Sequence, residues 1–253
     1  MISALFGCVG GMQIGVDEAG RGSVIGPLVV CAIKVRGEDR SILSSIGADD
    51  SKKLSKTSRE RIFKEIETIT ESMGWGIGLV ICSSGRVDEG MTRGNLNYLE
   101  SELFGEAIYL AGRPYQDSTI LLDACDVDAA RFGRTIAKLL GPKWRGCNII
   151  SEHGMDSNDV VVGAASIIAK YVRDREVRGI SETLGFDVGS GYPSDPITRK
   201  AVRELCMGTE PHDCLRWGWA TVKDAWIKIH KRPVPERGAL NEEASQPTLE
   251  DWK

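Results

Sequence analysis

The sequence predicts an α/β fold with a mixed central sheet flanked by helices. Short runs rich in Val, Ile and Leu, which suit buried strands, alternate with longer segments whose apolar residues recur at helical intervals. Their order is strand, strand, helix, strand, helix, strand, strand and then helices, an order typical of α/β chains. The 253 residues suit one large domain or a domain with an appendage, and no apolar run approaches the roughly 20 residues that span a bilayer.

The first two predicted strands, at about residues 13–18 and 24–36, enclose a turn at Gly20-Arg21-Gly22. Asp17 and Glu18 end the first strand. Because side chains alternate along a strand, both acids can serve one site only if the strand ends or bulges there, which the glycines permit. The alternative is a hairpin with two solvated acids at its mouth. Backbone N–H groups beside glycines can also approach a phosphate closely.

The remaining elements follow from periodicity and from turn signals. A capping-box spacing at Thr57 to Glu60 begins an amphipathic helix. Small residues from Gly163 to Ala169 suit a helix packed closely on a sheet, and the charged run 173–176 marks its exposed end. The core stripe of the helix at 87–111 includes Leu99 and Leu110. The predicted strands are 75–82, 119–124 and 147–151, the helices are 57–73, 87–111 and 160–170, and a helical remainder extends to 232.

Composition excludes several classes of site. The seven cysteines form no CxxC pair, so they indicate buried hydrophobic residues of a reducing cytoplasm rather than a disulfide framework or a zinc site. The net charge is −4, but residues 233–253 carry five acids and two bases, which leaves 31 acids and 30 bases elsewhere. A nearly neutral body with local Lys and Arg clusters can bind phosphates. The composition of residues 233–253 predicts a disordered tail.

Several motifs together resemble those of ribonuclease HII, the type 2 ribonuclease H family. The resemblance runs from about Gly15 to Val222, and the segment 216–221 and the tail are similar to the archaeal type. It implies a ribonuclease H-like catalytic domain at 1–195, a helical extension packed on it at 196–232, and a flexible tail. The motifs are Asp17-Glu18-Ala19-Gly20-Arg21-Gly22, Asp50-Ser51-Lys52-Lys53-Leu54-Ser55, Ala164-Ala165-Ser166-Ile167-Ile168-Ala169-Lys170 and Gly189-Ser190-Gly191-Tyr192-Pro193.

The resemblance selects four catalytic and metal-binding carboxylates from the 36 acids of the chain: Asp17, Glu18, Asp123 and Asp156. The family usually has His-Lys-Ala-Asp where this chain has His153-Gly154-Met155-Asp156, so Asp159 competes for the fourth position. All-oxygen ligation suits Mg²⁺ or Mn²⁺. Two such ions, about 3.5–4 Å apart, support phosphodiester hydrolysis. His153 is either a packing residue or a proton shuttle.

The implied activity is endonucleolytic hydrolysis of RNA in RNA–DNA hybrids and at single ribonucleotides in duplex DNA, leaving 5′-phosphate and 3′-hydroxyl ends. Tyr192 resembles the tyrosine that stacks beside the sugar at the RNA–DNA junction. On sequence alone, a packed loop tyrosine and exposed surface cations are the ordinary alternatives. A nucleic-acid-binding or clamp-binding protein with a degenerate metal site is the alternative function. The implied substrate-binding residues are Gly20, Arg21, Gly22, Lys52, Lys53, Asn97, Ser166, Lys170, Arg173 and Tyr192, with Asn95 as an alternative to Asn97.

The tail resembles the motif that docks repair enzymes on the sliding clamp, PCNA. Gln246, Leu249 and Trp252 occupy relative positions one, four and seven, and the three-residue spacing places Leu249 and Trp252 on one side of a helical turn. Asp251 replaces one aromatic of the fullest motif, and a disordered acidic end with a stray Trp is the alternative. We therefore expect a cytoplasmic monomer that binds nucleic acid and clamp, with no membrane association.

Overall fold

The structure is a computed structural model that describes residues 11–48, 54–115 and 117–237. The chain forms two compact units, each built from separate segments. Unit 1 comprises Met1–Glu18, Val30–Val80 and Ser101–Tyr171, and unit 2 comprises Ala19–Val29, Ile81–Glu100 and Val172–Lys253. The sequence-based domain boundaries remain a prediction.

One five-stranded sheet has the order β3-β2-β1-β4-β5. β1 pairs with β4 in parallel, and β4 pairs with β5 in parallel. The predicted mixed sheet with flanking helices is confirmed. The strands are β1 Met12–Ala19, β2 Leu28–Arg36, β3 Gly76–Cys82, β4 Thr119–Asp123 and β5 Asn148–Glu152.

Helices account for most of the other regular structure in the described residues. None of them combines the length and hydrophobicity that crossing a membrane requires. The helices are α1 Arg40–Ser45, α2 Lys56–Met73, α3 Ser84–Arg93, α4 Leu96–Ala111, α5 Ala129–Leu140, α6 Val160–Leu184, α7 Pro196–Leu205 and α8 Ala220–His230.

The prediction of a single helix over 87–111 is wrong, because the helical conformation is interrupted between α3 and α4. α3 ends at Arg93, and Gly94 leaves the helical conformation. Asn95 then accepts a hydrogen bond from the Tyr98 N–H through its Oδ1 (3.0 Å), which starts the next helix. Leu110, predicted in the core stripe, is exposed.

Helix α5 was missing from the predicted order. Asp128 caps it by accepting a hydrogen bond from the Arg131 N–H at 2.8 Å. Phe132, Ile136 and Leu140 bury one face. Parallel neighbours such as β4 and β5 require a crossover connection, usually a helix, and α5 supplies it.

Two helix ends also differ from the prediction. Ser55, not Thr57, caps α2, because its side chain accepts a hydrogen bond from the Ser58 N–H. α6 does not end at the charged run 173–176 but continues to Leu184. Within that run Arg173 is buried rather than exposed.

A close contact between β1 and the start of α6 sets the position of the acidic site in unit 1. A Cβ at Gly15 would lie 2.5 Å from the Val161 carbonyl carbon, so only glycine allows this approach. Asp17 follows two residues later along β1.

Candidate active site

Three aspartates from three different elements of unit 1 converge. Asp17 lies on β1, Asp123 ends β4, and Asp156 lies in a short 3-10 turn after β5. Val16 pairs with Leu122 on the adjacent parallel strand. Asp17 and Asp123 are the next residues along these two strands, so they occupy neighbouring positions. One carboxylate oxygen from each of the three residues lies within 4.8 Å of the others.

Glu18 does not belong to this group of three. β1 continues through Ala19, so the alternation of side chains gives the buried position to Asp17 and a half-buried position to Glu18. The two acids still interact, because their side chains share a hydrogen bond and the Glu18 N–H donates to Asp17 Oδ1 at 2.7 Å. The role of Glu18 as a metal ligand stays a prediction.

Burial and mutual repulsion raise the pKa values of the cluster. Burial, followed by the charge of Glu18, raises the pKa of Asp17 well above its usual range, and a hydrogen bond from Ser166 opposes this. Burial, with the charges of Asp17 and Asp156, raises the pKa of Asp123 to about 6. Hydrogen bonds from the Gly154 and Met155 N–H groups to Asp123 Oδ1, at 2.8 and 3.2 Å, lower it in part. Such a cluster favours a bound cation.

The structure separates the two candidates for the fourth carboxylate. Asp156 joins the cluster, whereas Asp159 pairs with Arg40 Nη2 at 2.8 Å and accepts a hydrogen bond from the Val161 N–H at 2.8 Å. Asp159 therefore caps the start of α6. The His153 ring contacts the Ala124 carbonyl through Nδ1 at 3.1 Å. A carbonyl can only accept, so Nδ1 carries a proton and donates in this contact.

Ser166 and Lys170, one helical turn apart on α6, both contact the cluster. Lys170 Nζ donates to Ser166 Oγ at 2.7 Å and lies 3.7 Å from Asp156 Oδ2. Ser166 also hydrogen-bonds to Asp17. Both residues were predicted to bind substrate, and the structure places both beside the carboxylates.

The donor set fits a hard divalent cation. The three converging groups are carboxylates, and no described Cys or His belongs to the group. Such oxygen ligands suit Mg²⁺ and Mn²⁺ better than zinc or copper. Burial of Asp17 and Asp156 would leave their charges poorly compensated without a cation. The sequence-based choice of metal therefore fits these side chains.

The predicted substrate turn lies in unit 2, where Arg21 is fixed by α4. Arg21 Nε donates to both carboxylate oxygens of Glu100, at 2.8 and 3.0 Å, and Nη2 donates to Asn97 Oδ1 at 2.7 Å. Glu100 is fully buried. Asn97, rather than Asn95, thus contacts the turn, and Glu100 is a partner that sequence reasoning missed. Its position on the same face of α4 as Leu96 and Leu103 could have indicated that Glu100 is buried.

A buried arginine that sequence reasoning did not assign fixes the backbone of the same turn. Arg216 donates through Nη2 to the Gly20 carbonyl at 2.7 Å and through Nη1 to the Arg21 carbonyl at 2.8 Å. It also contacts the Gly26 carbonyl at 3.2 Å. Burial lowers the pKa of Arg216 to about 10, so the side chain stays cationic at neutral pH.

Tyr192 is half-buried in unit 2 beside Arg173. The Arg173 guanidinium lies 4.4 Å from the centre of the Tyr192 ring, and its Nη2 donates to the Ser190 carbonyl at 2.5 Å. Gly191 has φ +80°, and a Cβ there would lie 2.6 Å from Arg173 Nη2. Arg173 was expected to be a surface phosphate contact, but only 3% of the residue is exposed. Its geometry is that of a support for the tyrosine loop.

Arg237, the last residue that the structure describes, is held by several contacts. Arg237 donates to the Leu215 carbonyl at 2.5 Å, lies 3.2 Å from Asp88 Oδ2, and stacks 4.5 Å from the Trp217 ring centre. Val234 also packs against a hydrophobic cluster of unit 2, so the chain makes ordered contacts beyond 233, where the flexible tail was predicted to begin. The predicted contacts that lie outside the described residues are Lys52, Lys53, Gln246, Leu249 and Trp252.

Comparison with known proteins gives concordant matches. The sequence model of the family described as Ribonuclease HII matches residues 14–222. A ribonuclease HII of Methanocella arvoryzae is 41% identical over 210 residues, covering 82% of this chain and 88% of that protein. The solved ribonuclease H2 of Pyrococcus horikoshii has a TM-score of 0.77 at 33% identity, with 87% of this chain and 100% of that chain covered. A chain of the solved PCNA:RNase HII complex from Archaeoglobus fulgidus has a TM-score of 0.71 at 34% identity, with 84% and 96% covered.

Proposed function

This chain belongs to the ribonuclease HII family and is a ribonuclease H, and we propose that it hydrolyses the RNA strand of RNA–DNA hybrids and incises duplex DNA at single ribonucleotides. The observation that carries the proposal is the convergence of Asp17, Asp123 and Asp156. Water attacks the phosphorus, the 3′ oxygen leaves, and the products carry 5′-phosphate and 3′-hydroxyl ends.

The carboxylates of unit 1 would hold two divalent ions, Mg²⁺ or Mn²⁺, which would supply an activated water and stabilise charge on the leaving oxygen. Asp17 and Asp123 are oriented for this task, Asp17 by Ser166 and Asp123 by the Gly154 and Met155 N–H groups. Glu18, which is adjacent to Asp17, adds its carboxylate to those of Asp17, Asp123 and Asp156.

Recognition of the ribose is the task of unit 2. The 2′-hydroxyl is the one group that separates ribose from deoxyribose. The Gly20-Arg21-Gly22 backbone contacts that hydroxyl, and Tyr192 stacks beside the sugar. The support for this assignment is rigidity: Arg216 and Glu100 fix the turn, and Arg173 fixes the tyrosine ring. A preorganised contact discriminates between substrates at lower entropic cost.

One assay tests the hydrolysis. Duplex DNA with one ribonucleotide, and a matched all-DNA duplex, are incubated with Mg²⁺, Mn²⁺ or EDTA. We expect incision at the ribonucleotide with either metal and none with EDTA or without the ribose. Binding to the duplex without incision in either metal would instead favour the alternative, a nucleic-acid-binding or clamp-binding protein with a degenerate metal site.

A pair of variants tests the choice of carboxylate. Asp17→Asn and Asp156→Asn each remove a ligand charge and keep the side-chain volume, so we expect folded proteins without cleavage. Asp159→Asn is the matched control, because Asp159 is also buried but pairs with Arg40. It should be less stable and still cut. Near-normal cleavage by Asp17→Asn, with circular dichroism unchanged, would show that the metal assignment is wrong.

The tail is proposed to bind a sliding clamp through Gln246, Leu249 and Trp252. Support comes from the Archaeoglobus fulgidus relative, which was solved as a PCNA:RNase HII complex. In this chain the anchor at Arg237 leaves eight residues, 238–245, before Gln246.

A further inference from the structure

A lysine lies beside the acidic cluster that the proposed function assigns to metal binding. Lys170 Nζ is 3.7 Å from Asp156 Oδ2 and donates to Ser166 Oγ, which also bonds to Asp17. Lys170 therefore reaches two of the three converging aspartates, one directly and one through a hydroxyl. Its ammonium compensates part of the negative charge that these buried groups place in unit 1.

We propose that Lys170 is a resident counter-cation that competes with divalent metal for Asp156, and so sets how tightly the site binds metal. The proposal rests on the proposed metal-binding function of the cluster. It adds to the role predicted from sequence, in which Lys170 contacts only a phosphate of the substrate.

The geometry allows Asp156 to exchange one cation for another. The distance of 3.7 Å is longer than a hydrogen bond, so charge alone links the ammonium to Asp156 Oδ2. Asp156 is 5% exposed, and a buried charge pair is little screened by salt. A divalent ion bound to the same carboxylate would repel the ammonium at this distance. The two cations therefore compete for Asp156, and movement of the ammonium away from it would relieve the repulsion.

Lys170 has the freedom to make that movement. Its side chain is 31% exposed and carries the ammonium on a flexible four-carbon stem. The hydroxyl of Ser166, one helical turn earlier, gives the ammonium a neutral partner that needs no carboxylate. Once displaced, the ammonium is available to a substrate phosphate, so the predicted phosphate contact belongs to the metal-loaded state.

Metal binding without substrate tests the proposal. Isothermal titration with Mn²⁺ compares the wild-type protein, Lys170→Gln, Lys170→Arg and the control Lys138→Gln, which alters an exposed lysine of α5. Lys170→Gln should bind Mn²⁺ about tenfold more tightly, because it removes the positive charge that opposes the metal at Asp156. Lys170→Arg keeps the charge and should stay close to wild type, as should Lys138→Gln.

Thermal unfolding gives a second readout. In EDTA, Lys170→Gln should have a lower Tm than wild type, because the carboxylates lose their counter-charge. Added Mn²⁺ should raise its Tm by more than it raises that of wild type, because ligand-induced stabilisation follows affinity. Unchanged or weaker Mn²⁺ binding by Lys170→Gln would overturn the proposal and leave Lys170 as a phosphate contact. Failure of the wild-type protein to bind Mn²⁺ would instead contradict the proposed metal site.

Discussion

The fold requires glycine at one position of the substrate turn but not at another, and this difference provides a test of substrate contact. Gly20 has φ +93°, and a Cβ there would lie 2.6 Å from the Pro27 carbonyl oxygen. Gly22 is exposed, its φ lies outside the left-handed region, and an added Cβ would meet no atom within 4 Å. The folded chain thus requires glycine at position 20 but not at position 22. A bound substrate that approaches the backbone closely would supply the missing reason.

The expected stabilities follow from this geometry. In Gly20→Ala, the left-handed backbone costs roughly 1–2 kcal/mol. The contact with Pro27 adds roughly 1–3 kcal/mol. The sum, about 2–5 kcal/mol, is a large share of a typical unfolding free energy of roughly 5–15 kcal/mol. Gly22→Ala should stay within about 0.5 kcal/mol of wild type, because its methyl group enters open space.

Cleavage should separate the two effects. Gly22→Ala should lower kcat/KM on duplex DNA with one ribonucleotide at least about tenfold, which corresponds to about 1.4 kcal/mol of lost transition-state stabilisation. Urea unfolding should meanwhile show an unchanged midpoint, in contrast to Gly20→Ala. If Gly22→Ala cut at the wild-type rate, close backbone approach at this turn would be refuted, and Gly22 would be an ordinary turn residue.

Three further predictions concern the cluster, the tyrosine and the tail. Because the pKa of Asp123 is raised to about 6, its stabilising contribution in EDTA is fully present below its unfolded pKa near 4 and is lost as the pH rises through about 6. Urea unfolding at pH 4 to 8 should show a smaller loss in Asp123→Asn than in wild type, and the remaining loss comes from Asp17, whose pKa is also raised. Tyr192→Ala should lower incision at a single ribonucleotide more than it lowers duplex binding, because phosphates dominate affinity. Tyr192→Phe keeps a ring for Arg173 and should lose less of the incision activity. Equal losses in binding and cleavage would identify Tyr192 as a packing residue. Deleting residues 246–253 should abolish binding to the cognate clamp, expected on the order of micromolar, and leave hydrolysis of short oligonucleotides unchanged; calorimetry that still detected clamp binding would contradict the motif.

Local patterns were sufficient to predict the sheet and most of the helices. β4 is a short apolar run that ends in Asp123, and β1 begins as an apolar run that reaches Asp17 two residues before the strand ends at Ala19. Helix α5 could also have been predicted, since Phe132, Ile136 and Leu140 recur at intervals of four behind the cap Asp128. The break at Gly94 was harder to predict, because apolar residues recur at helical intervals on both sides of it.

Long-range partners explain what the sequence could not predict. Arg216 bonds to carbonyl groups nearly two hundred positions earlier in the chain, at Gly20, Arg21 and Gly26. Buried arginines are rare, and no local pattern indicates which arginine will be one. Arg173 was misjudged for the same reason, because it lies in a run of charged residues but bonds to the Ser190 carbonyl.

Asp156 illustrates how one carboxylate positions another. Its place depends on the turn that follows Gly154, which has φ +68°. Asp123 Oδ1 accepts hydrogen bonds from the Gly154 and Met155 N–H groups, so Asp123 stabilises the turn that carries Asp156. Asp123→Ala would therefore remove one carboxylate and also loosen a second one. Asp123→Asn keeps an oxygen that can accept both hydrogen bonds, so a loss of Mn²⁺ binding in that variant reports the missing charge, and any larger loss in Asp123→Ala reports the displaced Asp156.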